Sequence, residues 1–425
     1  MSLPLPRASL RSFLSSAKAA LTTSLQHSSP ITFVVGNESA GKDVLLPSLL
    51  LLTPPDLDSI CSAILLAYFR TYTATPNSTT LYIPLSNLPR ADLALRPELT
   101  AVLPNVSLEP RDLITLSDLP QLHHIHSKLP AETTRWILVD HNALQGELGR
   151  VYGKRVFGCI DHHDEEGAVP LECGAEPRIV QKSGSCSSLV VESCREAWIA
   201  SSKKSKDKEI ASWDVELARL ALAPILIDTT NLTNEHKVTD ADVKATNYLE
   251  SLILAEGGSR LYRDEYFKSI TATKNDIGHL SLPDILRKDY KQWTEAGSVN
   301  LGVSSVVKDI QFLIDKAGSK VKFFAAVKDF AQERDLAIFS IMTTSEKAGT
   351  FRRELLLWGL DERGARAAEK FEDGSKEKLG LQQWGEGSLD FSDENQWRRC
   401  WWQQKVENSR KQVAPVLRSY IQDFK

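Results

Sequence analysis

Short apolar runs alternate with helical segments from residue 31 to about residue 235, and this alternation limits the folds that the chain can adopt. The runs read ITFVV, TLYIPL, RWILVDH, VFGCIDHH and LALAPILIDTT. Parallel strands need a long crossover connection, usually a helix, so strands that alternate with helices are typical of a parallel sheet. The pattern therefore predicts an α/β domain whose parallel sheet carries helices on both faces.

A second domain is expected toward the C-terminus. After a helical connector, the runs SVNLGVSSVV, KFFAAV and LAIFSIMTT predict further strands. Residues 366–398 are rich in Glu, Gly, Asp and Lys and are interpreted as an irregular surface insertion. We expect residues 1–240 to form the first domain, and residues 241–425 to form a smaller α/β domain that includes the connector and contains a mixed sheet.

The charge and cysteine content excludes some classes of protein. The 51 basic and 55 acidic residues leave a formal charge of −4, which gives no general reason to expect a nucleic-acid or membrane-surface partner. The six cysteines are scattered without a CxxC pair, which favours a reducing compartment. We therefore expect a cytoplasmic protein that binds neither nucleic acid nor membranes. We also expect it to be a monomer.

The N-terminal segment has two interpretations. The first 30 residues contain Arg7, Arg11 and Lys18, many serines and no acid, which is the composition of a mitochondrial transit peptide. The alternative is a first helix, SLRSFLSSAKAALTTSL, with one apolar face. That face consists of Leu10, Leu14, Ala17 and Leu21. A transit peptide would place the protein in the mitochondrial matrix instead of the cytoplasm.

Acids and histidines stand where four of the apolar runs of the first domain end. They are Asp58 after the opening strand, Asp140 with His141, Asp161 with His162 and His163, and Asp228. The carboxyl ends of adjacent parallel strands converge on one edge of the sheet, where ligands bind. A lone Asp at a strand end usually caps a helix, but four such acids together would carry uncompensated charges that bound cations stabilise. Carboxylate and imidazole ligands without thiolate favour Mn²⁺, Mg²⁺ or Co²⁺ over a structural zinc.

The ordered motifs resemble those of the DHH family of phosphoesterases. The four motifs of the family are matched in order by Asn37 with Asp56, Asp58 and Ser59, by Asp140, by Asp161-His162-His163, and by Asp228. The basic segments LRKDYKQW (286–293) and NSRKQVAP (408–415) resemble signatures of a second, DHH-associated domain. The segments GNESA, GSCSSLV and LIDTTN are most similar to exopolyphosphatases of fungal type. Family II pyrophosphatases carry His in place of Asn37, and prune proteins share the GNE opening.

The resemblance implies two divalent cations, with Mn²⁺ preferred and Mg²⁺ or Co²⁺ as alternatives. One cation would be held by Asn37, Asp56 and Asp140. The other would be held by Asp58, Asp140, His162 and Asp228, so that Asp140 bridges the two. His141 and His163 would orient ligands or donate to a phosphate oxygen, and Asp161 would support them without binding a cation directly.

The same resemblance implies that the second domain binds the substrate in a cleft between the domains. The expected substrate-binding residues are Arg287, Lys288, Ser409, Arg410 and Lys411. The implied activity is that of an exopolyphosphatase, in which a cation-activated hydroxide removes the terminal phosphate of inorganic polyphosphate. Hydrolysis of pyrophosphate or of a small nucleotide phosphoester is an alternative within the same chemistry. A non-catalytic interaction protein of the prune type is an alternative of another class.

The first motif is interrupted by an insertion. In the family the Asn or His stands four residues before the first Asp, whereas nineteen positions separate Asn37 from Asp56 here. Deletion of residues 41–55 would give VVGNESADLDSICSA, which restores the family spacing and a strand, turn and helix. Our hypothesis is that these residues are a translated intron or a gene-model error, because the Gly-Lys and Pro-Asp pairs at the two ends can be encoded by splice signals. The alternative is a genuine loop.

Overall fold

The chain forms two compact units. The computed structural model describes residues 5–37, 56–73, 80–203, 208–257, 259, 262–295 and 299–422. The first unit is built from the described residues up to Asp276, and the second from Ile277 onward. The insertion, residues 41–55, lies outside the described residues.

The first unit contains a five-stranded sheet in which all neighbouring strands are parallel. Its strands are β1 (Ile31–Gly36), β2 (Tyr82–Leu85), β3 (Thr134–Val139), β4 (Val156–Asp161) and β5 (Arg178–Val180). They lie in the order β2-β1-β3-β4-β5, so β1, β3 and β4 are neighbours in the middle of the sheet. The parallel sheet and its first four strands are therefore confirmed. The short strand β5 is an addition to the prediction.

Helices cover both faces of this sheet, as predicted. In the described part of the unit they are α1 (Leu10–His27), α2 (Leu57–Thr73), α3 (Leu99–Val102), α4 (Ile125–Lys128), α5 (Gly146–Tyr152), α6 (Cys186–Lys203), α7 (Lys208–Asp228), α8 (Asp240–Ala255) and α9 (Tyr262–Lys274). Successive side chains of a strand point to opposite faces. In β1, Val34 belongs to one buried cluster with α2, α6 and α7, whereas Phe33 and Val35 belong to another with α1 and α5.

The run LALAPILIDTT is not a strand, so this part of the prediction is wrong. It forms the end of α7, in which every residue from Leu220 to Leu226 is buried, including Pro224. The helix packs on α2, α6 and α8. An apolar run that is buried on all sides shows neither the helical nor the strand period, so its sequence does not distinguish the two. Asp228 is consequently the last residue of a helix and does not follow a strand.

The N-terminal segment forms α1, which confirms the helix interpretation. The predicted face is buried, because Leu10, Leu14, Ala17 and Leu21 are each at most 1% exposed. Just before α1, Arg7 forms a buried ion pair with Asp214 of α7, with 2.6 Å between the charged atoms. None of the helices in the described part of the chain combines the length and the apolar character that a bilayer span requires.

The first unit extends past residue 240, where the expected second domain begins. Helix α8 packs on α6 and α7, and α9 packs on α7, so both helices belong to the core of the first unit. The division into family modules at residue 240 and the cleft expected between the domains stay predictions.

The second unit contains a mixed seven-stranded sheet, as expected. Its strands are β6 (Tyr290–Glu295), β7 (Val299–Val306), β8 (Ile338–Lys347), β9 (Thr350–Gly359), β10 (Leu381–Gln383), β11 (Phe391–Ser392) and β12 (Trp397–Gln403). They lie in the order β10-β12-β9-β8-β7-β6, with β11 beside β12, and only β7 and β8 are parallel. Its helices in the described part are α10 (Leu282–Lys288), α11 (Ile310–Ala317), α12 (Lys320–Gln332), α13 (Glu362–Leu379) and α14 (Arg410–Gln422).

The strand predicted at KFFAAV is wrong, because this run lies in α12. Phe323, Val327 and Phe330 are buried at intervals of four and three residues, which is the spacing of one helix face. The run alone is too short to show that period. The neighbouring polar residues, which set the helix apart from a strand, lie on both sides of it.

The irregular insertion predicted at residues 366–398 is also wrong. This segment contains most of α13, both β10 and β11, and the beginning of β12. Charged residues dominate the composition of this segment, so the composition did not indicate the narrow apolar face of α13, which buries Ala367, Phe371 and Leu379. Charge content therefore indicated a solvated surface correctly but did not indicate the absence of regular structure.

Candidate metal centre

Asp140 and Asp161 lie side by side at the carboxyl edge of the first sheet. Asp140 directly follows β3 and Asp161 ends β4, and both side chains are buried. The backbone N–H of Asp140 donates to the carbonyl of Ile160 at 3.0 Å, which fixes the end of one strand against the other. Asp140 has a φ of 65°, in the left-handed region that residues other than glycine seldom adopt. The chain therefore turns sharply at the first acid of this edge.

The corner between β1 and α2 is closed, although a long stretch of sequence separates the two elements. A Cβ on Gly36 would lie 2.7 Å from the carbonyl oxygen of Ser59, so the end of β1 touches the first turn of α2. Asn37 directly follows β1 and is half-buried. Asp56 precedes α2, and its Oδ1 accepts from the backbone N–H of Ser59 at 3.1 Å. Both ends of the interrupted motif therefore lie at the same corner.

Asp58 is held by the N-terminal end of α6. Its carboxylate accepts from the backbone N–H groups of Cys186 at 2.6 Å and Ser187 at 2.9 Å, and from Oγ of Ser62 at 3.0 Å. The free N–H groups of a helix start carry partial positive charge, which favours a carboxylate at this position. The sequence fragment Gly184 to Ser187, which resembled part of the family pattern, thus serves Asp58 through its backbone.

Asp140 is the residue around which the other polar groups gather. Its Oδ2 accepts from Oγ of Ser59 at 2.5 Å, and its Oδ1 lies 3.1 Å from Nε2 of His162. Nδ1 of His163 lies 3.8 Å from the same oxygen. One ligand atom each from Asp140, His162 and His163 fall within 4.8 Å of one another, close enough to share a cation.

Burial and neighbouring acids raise the pKa of Asp58, Asp140 and Asp228. Burial raises the pKa of Asp140 to about 7, with further contributions from the charges of Asp56 and Asp58. Burial also raises the pKa of Asp228, and Asp58 and Asp56 raise it further. The same two causes, burial and the charge of Asp56, raise the pKa of Asp58. The structure thus brings together Asp56 just before α2, Asp58 in its first turn, Asp140 just after β3 and Asp228 at the end of α7.

Positive charge in the described part of the chain does not offset this group of acids. His162 lowers the pKa of Asp58 and Asp140, and Lys274 lowers that of Asp228, but the net shift of all three carboxylates is upward. A divalent cation would supply the missing charge. The donor set of carboxylates and an imidazole, without a thiolate, fits Mn²⁺ or Mg²⁺. The residues present therefore fit a divalent metal centre.

His162 presents its Nε2 to Asp140. Its Nδ1 lies 2.9 Å from the carbonyl of Ser183, and a carbonyl only accepts, so Nδ1 carries the hydrogen. The other nitrogen, Nε2, faces Asp140. Burial lowers the pKa of His162, but the hydrogen bond to Asp140 and the charges of Asp58 and Asp140 outweigh it and raise the pKa to about 10. A cation at Asp140 would replace the proton on Nε2.

His163 is oriented by Asp161, and Asp161 by Asn142. Nδ1 of His163 donates to Oδ1 of Asp161 at 2.8 Å, and Nδ2 of Asn142 donates to Oδ2 at 2.5 Å. Burial raises the pKa of Asp161, but these hydrogen bonds lower it to about 2, and the bond to Asp161 raises the pKa of His163. The His163 side chain is 47% exposed. Its Nε2 is therefore the nitrogen left for a ligand.

His141 is buried and has a different hydrogen-bonding capacity. Its Nδ1 lies 2.9 Å from the carbonyl of Val139 and so carries the hydrogen, and burial lowers its pKa, which keeps the ring neutral. Within the described part of the chain, Nε2 is buried without a partner. In this tautomer Nε2 accepts a hydrogen bond or binds a cation but cannot donate to a phosphate oxygen. Of the two roles expected for His141, the structure is compatible with orienting a ligand.

Sequence reasoning missed three residues that hold the centre together. Asn142 fixes Asp161, the carbonyl of Ser183 fixes His162, and the buried carboxylate of Asp242 fixes the loop that contains Ser183. Asn142 could have been noted as a polar residue at the end of a buried strand. Asp242 stands three residues after Thr239, which is the spacing of a helix capping box. Ser183 acts through its backbone carbonyl, so the identity of its side chain does not indicate this role.

The basic segments lie in the second unit and contact each other. Arg410 donates to the carbonyl of Asp289 at 3.0 Å and pairs with its carboxylate at 2.8 Å, which joins the start of α14 to the residue after α10. Arg287 pairs with Asp284 at 2.9 Å, and Lys288 is buried. Oγ of Ser409 donates to Gln412 at 2.8 Å, and Lys411 is exposed. Their role in binding a substrate stays a prediction.

Comparison with known protein families places two matches along the sequence. Residues 53–225 match the DHH family, N-terminal domain, and residues 268–420 match the DHHA2 domain. Together these matches cover well over half of the chain.

Similar proteins are known from fungi, mammals and archaea. A Schizosaccharomyces pombe protein provisionally named an exopolyphosphatase is 34% identical over 400 residues, which are 93% of this chain and 93% of that protein. Human exopolyphosphatase PRUNE1 is 26% identical over 334 residues, which are 79% of this chain and 63% of that protein. A solved Methanococcus jannaschii structure, provisionally assigned as a family II inorganic pyrophosphatase, has a TM-score of 0.49 and 20% identity, and the match covers 92% of this chain and 99% of that one.

Proposed function

Because the chain belongs to the DHH family of phosphoesterases and carries a DHHA2 domain after the DHH domain, we propose that it is an exopolyphosphatase that removes the terminal phosphate of inorganic polyphosphate with the help of two divalent cations. The observation that carries this proposal is the convergence of Asp56, Asp58, Asp140 and Asp228. Asp58 and Asp140 are buried, and the charges of Asp56 and Asp58 help to raise the pKa of Asp140 and Asp228. The polyphosphate substrate is taken from the names of the fungal and mammalian relatives.

The proposed ligands form two sets that share Asp140. One set is Asn37, Asp56 and Asp140, and the other is Asp58, Asp140, His162 and Asp228. When bound, two divalent cations lower the pKa of a shared water and neutralise charge on phosphoryl oxygens. We propose Mn²⁺ as the preferred ion, with Mg²⁺ or Co²⁺ as substitutes.

The protein's own residues would orient the ligands and supply a proton. Ser59 fixes one oxygen of Asp140, and the carbonyl of Ser183 turns Nε2 of His162 toward the other. Asp161 keeps the hydrogen of His163 on Nδ1, and it raises the pKa of this histidine, which favours a second hydrogen on Nε2. We assign His163 as the group that donates to a phosphate oxygen, and Asp161 as the residue that orients it.

The second unit would bind the polyphosphate chain. Arg287, Lys288, Ser409, Arg410 and Lys411 are the proposed contacts. The pairing of Arg410 with Asp289 supports this assignment, because it draws the two basic segments together and limits the freedom of the guanidinium before a substrate binds. Arginine offers paired donors to phosphate oxygens and lysine offers a point charge.

We also propose a cytoplasmic monomer that acts without nucleic-acid or membrane partners. The six free cysteines support a reducing compartment, and the near balance of acidic and basic residues supports the absence of nucleic-acid binding. The mitochondrial matrix is the alternative compartment, and cell fractionation distinguishes the two.

Phosphate release from defined substrates tests this function. Protein stripped with EDTA and dialysed is supplied with Mn²⁺, Mg²⁺ or Co²⁺, and orthophosphate is measured with long polyphosphate, tripolyphosphate, pyrophosphate and a nucleotide. We expect cation-dependent release from polyphosphate. Asp140→Ala should abolish it because this residue is shared by both ligand sets, whereas Asp329→Ala, a change at an exposed acid of α12, should leave it intact.

The other outcomes identify the alternatives. Release confined to pyrophosphate or to the nucleotide would assign the chain to a pyrophosphatase or a nucleotide phosphoesterase. A folded protein that releases phosphate from none of these substrates would support a non-catalytic interaction protein. Activity retained by Asp140→Ala would contradict its place in both ligand sets.

A further inference from the structure

The buried carboxylate of Asp242, at the start of α8, accepts hydrogen bonds from two separate segments. On one side the donors are the backbone N–H and the hydroxyl of Thr239, at 2.7 and 2.8 Å. On the other side the donors belong to the loop before α6 and to the first turn of α6. These are Oγ of Ser183 at 3.0 Å, N of Gly184 at 2.9 Å, N of Ser185 at 3.2 Å and Oγ of Ser188 at 2.7 Å. Asp242 thus joins α8 to the segment that leads into α6.

That segment holds two of the proposed metal ligands. The carbonyl of Ser183 accepts from Nδ1 of His162 and so determines which nitrogen faces Asp140. Three residues further on, the first N–H groups of α6, those of Cys186 and Ser187, bind Asp58. A shift of this segment would therefore move the partners of His162 and Asp58 together.

The segment is also confined by the end of α7. A Cβ on Gly184 would lie 2.6 Å from Cγ2 of Thr229 and 2.9 Å from Oδ2 of Asp242. Thr229 follows Asp228, a third proposed ligand. The loop therefore fills the space between the carboxylate of Asp242 and the end of α7.

We propose that Asp242, which lies outside the motifs of the DHH family, is a positioning residue of the metal centre. It fixes the loop and the helix start that hold His162 and Asp58. This inference rests on the metal centre proposed above. His162 and Asp58 belong to the same ligand set. The loss of Asp242 should therefore weaken the binding of one cation and leave the set of Asn37, Asp56 and Asp140 in place. Partners that orient ligands typically contribute about 10- to 100-fold in metal affinity.

Asp242→Asn is the direct test because it preserves shape and removes acceptors. An Asn side chain replaces one oxygen with an NH₂ donor. Both carboxylate oxygens face backbone N–H groups, those of Gly184 and Thr239 at Oδ2 and that of Ser185 at Oδ1. Either orientation of the Asn amide therefore places a donor against a donor, and the loop must shift.

Asp214→Asn is the matched control. Asp214 is also buried in the first unit, and it accepts hydrogen bonds from Arg7, Trp198 and Ser202. Its loss should destabilise the same unit without moving the segment before α6. A general loosening of the fold would therefore affect both variants alike.

The readout is Mn²⁺ binding to cation-free protein, followed by the electron paramagnetic resonance signal of free Mn²⁺. Circular dichroism establishes that equal amounts of folded protein are compared. We expect Asp242→Asn to reduce the affinity for one of the two Mn²⁺ ions about 10- to 100-fold. Asp214→Asn should retain the affinities of the wild type. Wild-type affinities in Asp242→Asn, or an equal loss in both variants, would overturn the proposal.

A milder pair keeps the test available if Asp242→Asn does not fold. Ser188→Ala removes one hydrogen bond on the α6 side of the carboxylate, whereas Thr239→Ala removes one on the α8 side. We expect Ser188→Ala to weaken Mn²⁺ binding and Thr239→Ala to leave it unchanged, and identical behaviour would overturn the proposal. The assay requires no polyphosphate. A wild-type protein that binds Mn²⁺ but releases no phosphate would refute the proposed activity and still test the role of Asp242.

Discussion

Ionised Asp140 destabilises the folded, cation-free protein, but the proposed cation binding requires it. In the cation-free protein, burial and the neighbouring acids raise its pKa from 3.8 to about 7. One pKa unit corresponds to about 1.4 kcal/mol, so keeping Asp140 ionised at pH 8 costs the fold on the order of 4 kcal/mol. An uncharged residue of the same shape avoids this cost. We therefore expect Asp140→Asn to stabilise the cation-free protein at pH 8 while it removes cation binding.

The net gain is smaller because Asp140 also accepts hydrogen bonds. It accepts from Ser59 and lies 3.1 Å from Nε2 of His162, and an Asn side chain keeps one acceptor oxygen of the two. A hydrogen bond to a charged group contributes about 1.5–3 kcal/mol, but the bond from His162 is already contained in the net pKa of about 7, so the gain at pH 8 lies between about 1 and 4 kcal/mol. The gain should shrink as the pH falls and vanish below pH 3.8, where Asp140 is protonated in both the folded and the unfolded wild type.

The sign of the pH dependence follows from the raised pKa. Between pH 3.8 and about 7 the folded wild type keeps a proton on Asp140 that the unfolded chain has released. The free energy of unfolding of the wild type therefore falls as the pH rises through this window. The contribution of Asp140 is most favourable at the acid end and is lost at pH 8.

Urea denaturation of the wild type and of Asp140→Asn in EDTA, at pH 5 and at pH 8, measures this difference. The variant should be more stable than the wild type at pH 8, and its advantage should be clearly smaller at pH 5. Added Mn²⁺ should stabilise the wild type only, because a ligand that binds the folded state alone raises its stability. A variant that is less stable than the wild type at pH 8, or a difference that is the same at both pH values, would refute the argument.

Two further outcomes are expected. Arg410→Ala and Lys411→Ala should raise the KM for long polyphosphate more than for tripolyphosphate, and this difference should shrink as salt is added. The control Lys320→Ala, at an exposed residue of α12, should change neither KM. Equal effects on both substrates would count against a polyanion site. A form that lacks residues 41–55 should bind one Mn²⁺ about tenfold more tightly than the full chain and release phosphate faster, because the tether between two proposed ligands is shorter. Equal specific activity of the two forms would identify the insertion as a tolerated loop.

The carboxyl edge of the sheet could be predicted because its signals are local. The strands that end before Asp140 and at Asp161 are continuous apolar runs followed at once by polar residues, as in a strand buried on both faces. The same signal misled the prediction for α7, whose end is apolar on all sides. Asp228 still reaches the other acids, since the charges of Asp58, Asp56 and Asp140 raise its pKa. Its ordered position in a motif was more informative than the secondary structure around it.

The supporting residues could not be predicted because their partners are distant in the sequence or are backbone atoms. Asp242 binds the N–H of Gly184, 58 positions away, and Asp58 binds that of Cys186, 128 positions away. A carboxylate that binds N–H groups has the same sequence signature whether the partner is its own helix or another one. The capping box of α8 is a local feature, and only the fold shows that its Asp serves a second segment as well.

The insertion and Asp242 act on different proposed cations. Nineteen positions separate Asn37 from Asp56 in place of the four typical of the family. The entropy of closing a loop grows with the logarithm of its length, so this difference weakens their pairing by about 1.4 kcal/mol, or about tenfold. The contact between Gly36 and the first turn of α2 shows that the corner closes despite the longer tether. The longer tether therefore weakens the first ligand set without eliminating it, and the second set depends instead on the segment that Asp242 fixes. In a chain with both ligand sets, Asp242→Asn would reduce the affinity for one cation, and removal of residues 41–55 would raise the affinity for the other.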